Sequence, residues 1–154
     1  MSAAERTRRC SESAINKYLG KISGPILDRI DLQIELKTLS FDERFSPSRD
    51  SESALMLSKV EAARSIQIRR FAGTSIPYNA AIPGGRVFDY CLFTENAMSV
   101  FKTLVSENKM STRSMDRMAK VSRTIADLND KTDIETDHVN QAAKYMIGGL
   151  LRDR

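Results

Sequence analysis

One strand-like segment, with no second strand to pair with, most constrains the fold of this 154-residue chain. Apolar and polar residues alternate strictly over Ile30–Leu36, which is the period of a half-buried β-strand. Only Val87–Phe93 competes as a second strand, and its flanking residues favour a helix. Because an unpaired strand leaves its backbone groups without partners, we expect it to dock on a sheet supplied from elsewhere. The sequence therefore predicts a piece of a larger protein, or a chain that pairs with a second copy.

The residues around this segment indicate a short helix, a break and a linker. Apolar residues recur at helical spacing over Ser11–Lys21, and a serine stands at the capping position. Gly24-Pro25 then interrupts the chain, and the proline is well placed to begin a new turn just before the strand. Residues 39–50 are polar and contain Pro47, so we interpret them as a linker.

Residues 51–154 have the apolar periodicity of α-helices rather than of strands. The predicted helices are Ser53–Phe71, Arg86–Leu92, one capped by Thr94, one capped by Ser111 that ends at Leu128, and Asp137–Leu151. The predicted apolar faces include Leu57, Val60, Ile68 and Phe71 on the first helix, and Met118, Val121, Ile125 and Leu128 on the fourth. The fold class is therefore mainly α: a helical bundle preceded by a short helix and a single β-strand.

Composition excludes few kinds of protein but sets some limits. The 24 basic and 20 acidic residues give a net charge of +4, which permits an anionic partner without requiring one. The sequence contains no run of about 18 apolar residues and no apolar core in its polar N-terminus, so we expect neither a membrane span nor a signal peptide. The expected location is cytoplasmic.

Metal-based and histidine-based chemistry find little support in the sequence. Cys10 and Cys91 lie far apart, and His138 is the single histidine, so we predict no metal site. We expect Cys91 to be buried and His138 to lie on the surface. No glycine-rich phosphate-binding motif is present either, so this chain alone should not hydrolyse a nucleotide.

Arg29 is the first candidate functional arginine in the sequence. It lies on a stiff turn immediately before the strand, between the carboxylates of Asp28 and Asp31. It is either a surface arginine paired with one of these carboxylates or a planar guanidinium presented to phosphate oxygens. Position alone leaves both interpretations open.

A second group of cations lies at the start of the predicted fourth helix. Arg113, Arg117 and Lys120 share one side of this helix, away from its apolar face. Arg113 falls in the first turn, where free backbone N–H groups already favour an anion. The group is either a phosphate-binding face or a solvated one, and spacing does not decide between them.

These segments together resemble the C-terminal region of the magnesium-chelatase-like AAA+ ATPases of the ComM/YifB type. The matching segments are KISGPILDRIDL from Lys21, VEAARSIQIRRF from Val60, Asn79–Pro83, Cys91-Leu92, Ser111–Arg113 and VSRTIADL from Val121, with Ile134, His138 and Tyr145. The likeness covers about residues 10–147. The phosphate-binding loop and the acidic magnesium-binding motif of that family are missing here, because the chain begins after them.

The resemblance implies a division of the chain and a role for each arginine. Residues 1–38 would be the end of the AAA+ α/β core with its last strand, residues 39–50 the linker, and residues 51–154 the helical lid domain. Arg29 resembles the arginine finger, a catalytic residue that acts in trans on the ATP of a neighbouring subunit. The residues implied to contact the nucleotide from the lid are Arg113 as the sensor-2 arginine, with Arg117 and Arg123 in support.

The resemblance also implies cofactors and partners. ATP and Mg²⁺ would bind the full-length parent and not this fragment, and the parent would form a homo-oligomeric ring, a hexamer, that acts on DNA as a helicase or branch-migration motor. The alternative is a basic helical module that binds nucleic acid through Arg64, Arg69, Arg70 or the Arg113 face, or that binds another protein. Magnesium insertion into a porphyrin is a less favoured third function.

Overall fold

The described part of the chain is a bundle of helices. The computed structural model describes residues 50–147 together with residues 11, 13, 17, 29–34, 36, 38, 40 and 41. The α-helices are α1 (Asp50–Arg70), α2 (Val87–Tyr90), α3 (Glu95–Glu107), α4 (Thr112–Leu128) and α5 (Thr136–Ile147), with 3-10 turns at Asn79–Ala81 and Gly84–Arg86. No sheet occurs among the described residues, and an isolated parallel bridge joins Phe93 to Ile134. The mainly helical fold is confirmed.

Two helices begin at the predicted capping residues. The Thr94 hydroxyl accepts a hydrogen bond from the Ala97 N–H at 3.3 Å, and α3 follows it. The Ser111 hydroxyl accepts one from the Ser114 N–H at 3.2 Å, and α4 follows. Each cap satisfies a backbone donor that the first helical turn would otherwise leave unpaired.

Helix α4 lies at the centre of the bundle. It packs against α1, α2, α5 and the 3-10 turn at Asn79–Ala81, and α3 packs against α5. Met118, Ala119 and Ala126 of α4 are completely buried. The small alanines let neighbouring helices approach closely, so α4 can contact several elements at once. Helix α4 therefore positions α1, α2, α5 and the 3-10 turn at Asn79–Ala81 relative to one another.

The apolar faces of α1 and α4 differ in part from those predicted. Leu57, Val60 and Ile68 are exposed by 57%, 50% and 63%, whereas Ala63 and Phe71 are buried. Every described side chain from residue 52 to residue 62 is exposed. The other described elements therefore leave the first half of α1 uncovered. Leu128, at the last turn of α4, is 40% exposed.

The strand-like segment contacts helices in this structure. The described residues 30–34 and 36 belong to no regular element. The Gln33 N–H donates a hydrogen bond to the Tyr145 carbonyl of α5 at 2.8 Å. The short helix over Ser11–Lys21 and the linker over 39–50 lie mostly outside the described residues. None of the described helices is long and apolar enough to cross a lipid bilayer.

Candidate functional site

The three cations of the predicted basic face lie along α4 in three different environments. The Lys120 ammonium donates to the Ala80 carbonyl of the 3-10 turn at 3.3 Å. Arg117 is largely covered by the segment that contains Asp31, and Arg113 is exposed. The three cations therefore lie along one helix as predicted, but Lys120 and Arg117 already have protein partners. Arg113 is the member that faces solvent.

Arg113 occupies the first turn of α4, directly after the Ser111 cap. Its guanidinium forms no hydrogen bond or ion pair with the described part of the chain. The partial positive charge of the helix N-terminus adds to its own charge. An anion that approached this end of α4 would meet a charged planar donor and the first-turn N–H groups together.

Arg117 lies against the segment that contains Asp31. Its side chain is only 11% exposed, and its Nε lies 2.6 Å from the Asp31 Oδ1. Its Nη2 also donates to the Ile30 carbonyl. Asp31, one of the two carboxylates considered as a partner for Arg29, therefore pairs with Arg117. Arg29 itself lies on a turn and is exposed.

Arg123 is buried rather than available to a ligand. It is 1% exposed, and its Nη1 and Nη2 donate to the carbonyls of Thr132 and Lys131. Its Nε donates to the Asp127 carboxylate at 3.1 Å. Burial lowers the pKa of the Arg123 guanidinium, while the charge of Asp127 opposes that shift. In this arrangement a nucleotide in solvent cannot reach Arg123, so we interpret it as a structural residue.

Arg70 meets the same carboxylate from the end of α1. Both of its terminal nitrogens donate to Asp127, and one also donates to the Asn79 side chain at 3.0 Å. The Asn79 amide in turn donates to Asp127 at 2.8 Å, and the Gln67 side chain accepts from the Asn79 N–H at 3.1 Å. Two guanidinium groups and an amide thus share one fully buried carboxylate. This network fixes α1 and the 3-10 turn on α4.

The pairing of Arg70 with Asp127 is not evident from the sequence. Arg70 was grouped with Arg64 and Arg69 as a candidate nucleic-acid contact, whereas its side chain is 17% exposed and paired. The i,i+4 spacing of Arg123 and Asp127 was a usable signal for a helical ion pair. No comparable local signal links Arg70 to Asp127.

Cys91 is buried as predicted, but His138 is not on the surface. Cys91 is 1% exposed, and burial raises the pKa of its thiol to about 12. His138 is 3% exposed, and its Nδ1 accepts a hydrogen bond from the Glu135 N–H at 2.9 Å. The imidazole therefore caps the N-terminus of α5. No group of three or more His, Cys, Asp or Glu residues suited to a metal ion occurs in the described residues.

The His138 cap predicts a loss of stability in acid. Burial, partly offset by Glu135, lowers the pKa of His138 below its ordinary value of 6.5. The neutral ring therefore stabilises the fold fully above pH 6.5, and this contribution falls as the pH drops through the folded pKa. The slope for one proton cannot exceed about 1.4 kcal/mol per pH unit. Thermal unfolding between pH 7.5 and 5 should show a steeper loss for the wild type than for His138→Gln. Equal slopes would contradict the prediction.

A cleft of about 340 Å³ lies between the end of α1, α2 and the turn before α5. Its lining includes Arg69, Arg70 and Lys131 together with the carboxylates of Asp89 and Asp130, and Arg70 is already paired with Asp127. Arg64, further along α1, lies over the Tyr78 ring with its guanidinium carbon 5.4 Å from the ring centroid. The mixed charge of the cleft gives no preference for an anionic ligand.

Comparison with known proteins matches almost the whole chain to one family in two parts. The model of the magnesium chelatase subunit ChlI matches residues 1–44, and the model of the ChlI C-terminal region matches residues 50–146. The chain belongs to the magnesium-chelatase-like AAA+ family. The first match contains Arg29, and the second contains Arg113, Arg117 and Arg123.

Relatives in this family include an uncharacterized protein YifB of Salmonella typhimurium, 34% identical over 143 residues. The competence protein ComM of Haemophilus influenzae is 33% identical over 138 residues, and YifB of Escherichia coli is 32% identical over 141 residues. Each alignment covers 89% of this chain and 26% of the relative. The chain thus spans about a quarter of the length of these relatives.

Proposed function

We propose that this chain is the lid and arginine-finger part of a ring-forming, ATP-dependent motor. The proposal rests mainly on the two-part family match. Arg29 lies in the first matched part and Arg113 in the second, on either side of residues 45–49. Arg29 would act in trans on the ATP of a neighbouring subunit. Arg113 would contact the nucleotide from the lid. ATP and Mg²⁺ would be bound by the longer protein to which these residues belong.

The chemistry of phosphoryl transfer suits both arginines. Catalysis of this reaction depends mainly on positioned charge that stabilises the oxygens of the transferred group. Arg113 is exposed at the positive end of α4, which supports a role in contacting phosphate. A finger supplied by another subunit makes hydrolysis depend on ring assembly, and a lid arginine couples the nucleotide to domain movement.

We extend the proposal to DNA as the substrate of the motor. The support is the competence protein ComM among its relatives, together with the net charge of +4. The alternative of a nucleic-acid-binding module is weakened by the burial of Arg70, one of its four candidate contacts. Salt-dependent DNA binding by this chain alone, reduced in Arg64→Ala and Arg69→Ala, would favour that alternative.

The role of Arg113 can be tested by ATP hydrolysis in the full-length protein. We expect Arg113→Ala to lower kcat about 10²-fold, the size of effect seen when one charge-stabilising donor is lost. Lys102→Ala removes an exposed cation from α3 that has no proposed role, and serves as the control. Hydrolysis by Arg113→Ala at the rate of the control would overturn the assignment of Arg113.

A further inference from the structure

Within the part of the chain that the structure describes, three polar contacts join the segment next to Arg29 to the lid helices. The Arg117 Nε lies 2.6 Å from the Asp31 Oδ1, and its Nη2 donates to the Ile30 carbonyl. The Gln33 N–H donates to the Tyr145 carbonyl of α5 at 2.8 Å. Two of the three contacts come from Arg117. The residue immediately after Arg29 is therefore bonded to α4 through its backbone.

The apolar side chains of the same segment are less well covered. Ile30, Leu32 and Ile34 are exposed by 39%, 48% and 67%, whereas the Arg117 side chain is only 11% exposed. Apolar side chains left this far in water contribute only part of the stabilisation that full burial would give. The position of the segment on the lid therefore depends strongly on its polar contacts, above all on the two-partner contact of Arg117.

We propose that Arg117 is a positioning residue that anchors residues 30–34 on α4 and thereby fixes Arg29 relative to Arg113. Arg113 and Arg117 are four residues apart on one helix, so a movement of α4 displaces both. The Ile30 carbonyl that Arg117 binds is adjacent to Arg29 in the chain. The anchor transmits a displacement of the lid helix to the finger segment of the same subunit. This coupling rests on the roles proposed above for Arg29 and Arg113.

The attachment itself can be measured by hydrogen exchange on the complete chain. We expect the Gln33 amide, whose N–H donates to the Tyr145 carbonyl, to exchange about three- to fivefold faster in Asp31→Asn, the size of effect expected for loss of an exposed ion pair, and by more in Arg117→Met. Arg113→Met, one turn earlier on the same helix, is the matched control and should leave this exchange unchanged. Asp31 is 63% exposed, so Asp31→Asn removes the ion pair without disturbing the helical core. Unchanged exchange in both anchor variants would overturn the proposal.

The coupling to Arg29 is tested by steady-state ATP hydrolysis in the full-length ring. Asp31→Asn should lower kcat about tenfold, since misplacement of a catalytic group by about 1 Å can cost more than this. The KM for ATP should stay the same, because Arg117 does not touch the nucleotide in this proposal. A raised KM in Arg117→Met, with kcat unchanged, would identify Arg117 as a nucleotide ligand and overturn the proposal. An unchanged kcat in Asp31→Asn would refute the coupling. If Arg29→Ala left hydrolysis intact, the proposed function would fail, while the exchange result would still stand.

Discussion

Replacement of Asp127 by alanine should lower the free energy of unfolding of this chain by about 3–5 kcal/mol. The Asp127 side chain is fully buried and pairs with both Arg70 and Arg123. Without it, the Arg123 guanidinium stays buried with its two carbonyl partners but without a counter-charge. An uncompensated buried charge costs far more than the loss of a surface ion pair, which is worth at most about 1 kcal/mol.

Urea unfolding followed by far-ultraviolet circular dichroism measures this effect, since the chain has no tryptophan to report by fluorescence. Asp133→Ala is the matched control, because the carboxylate of Asp133 is exposed whereas that of Asp127 is buried. In an Arg123→Met background, Asp127→Ala should cost less than in the wild type, because one of the two buried charges is already gone. Equal unfolding free energies for Asp127→Ala and the Asp133→Ala control would show that the buried network does not stabilise the lid.

Arg29→Ala in the full-length protein should lower the kcat for ATP hydrolysis by about 10³-fold or more, the range expected for loss of an arginine finger. The effect arises because the finger stabilises charge on the transferred phosphoryl group and not on the bound ground state. The KM for ATP should therefore change much less than kcat. The variant should still fold, since Arg29 is exposed and lies outside the buried core.

Action in trans has a distinct signature in mixed rings. When Arg29→Ala subunits are mixed with subunits that cannot bind ATP but keep Arg29, activity should reappear, because the intact finger of one subunit then serves the intact nucleotide site of its neighbour. The conservative variant Arg29→Lys keeps a charge but loses the planar fork, and should recover only part of the rate. Hydrolysis by Arg29→Ala rings at the wild-type rate would reject Arg29 as the finger.

Much of the helical fold could be predicted from local signals. The periodicity of Ala97, Phe101 and Leu104 predicts α3, and the hydroxyl residues Thr94 and Ser111 begin α3 and α4 as expected. These signals work because caps and apolar stripes act within a few residues of the chain. The predicted apolar face of α1 was wrong at Leu57, Val60 and Ile68, because the buried side of α1 follows Ala63, Gln67 and Phe71 and includes a polar residue that an apolar pattern does not mark.

The candidate site was predictable in part. Arg29 and Arg113 were identified through family motifs, and the structure leaves both exposed. Arg117 and Arg123 share the helix of Arg113 but serve other contacts, one with Asp31 and one with Asp127. Spacing on one helix shows which cations share a face, and it does not show which of them a distant segment will cover.

The sequence by itself determined the helical class of the described region, the starts of α3 and α4, and the family to which the chain belongs. All of these depend on residues close together in the chain or on motif identity. Only the tertiary structure decided which charges are buried. Arg70 lies 57 positions from Asp127, and Arg117 lies 87 positions from Ile30, so no local pattern records either contact. The chain must first close these long loops before the charges can meet.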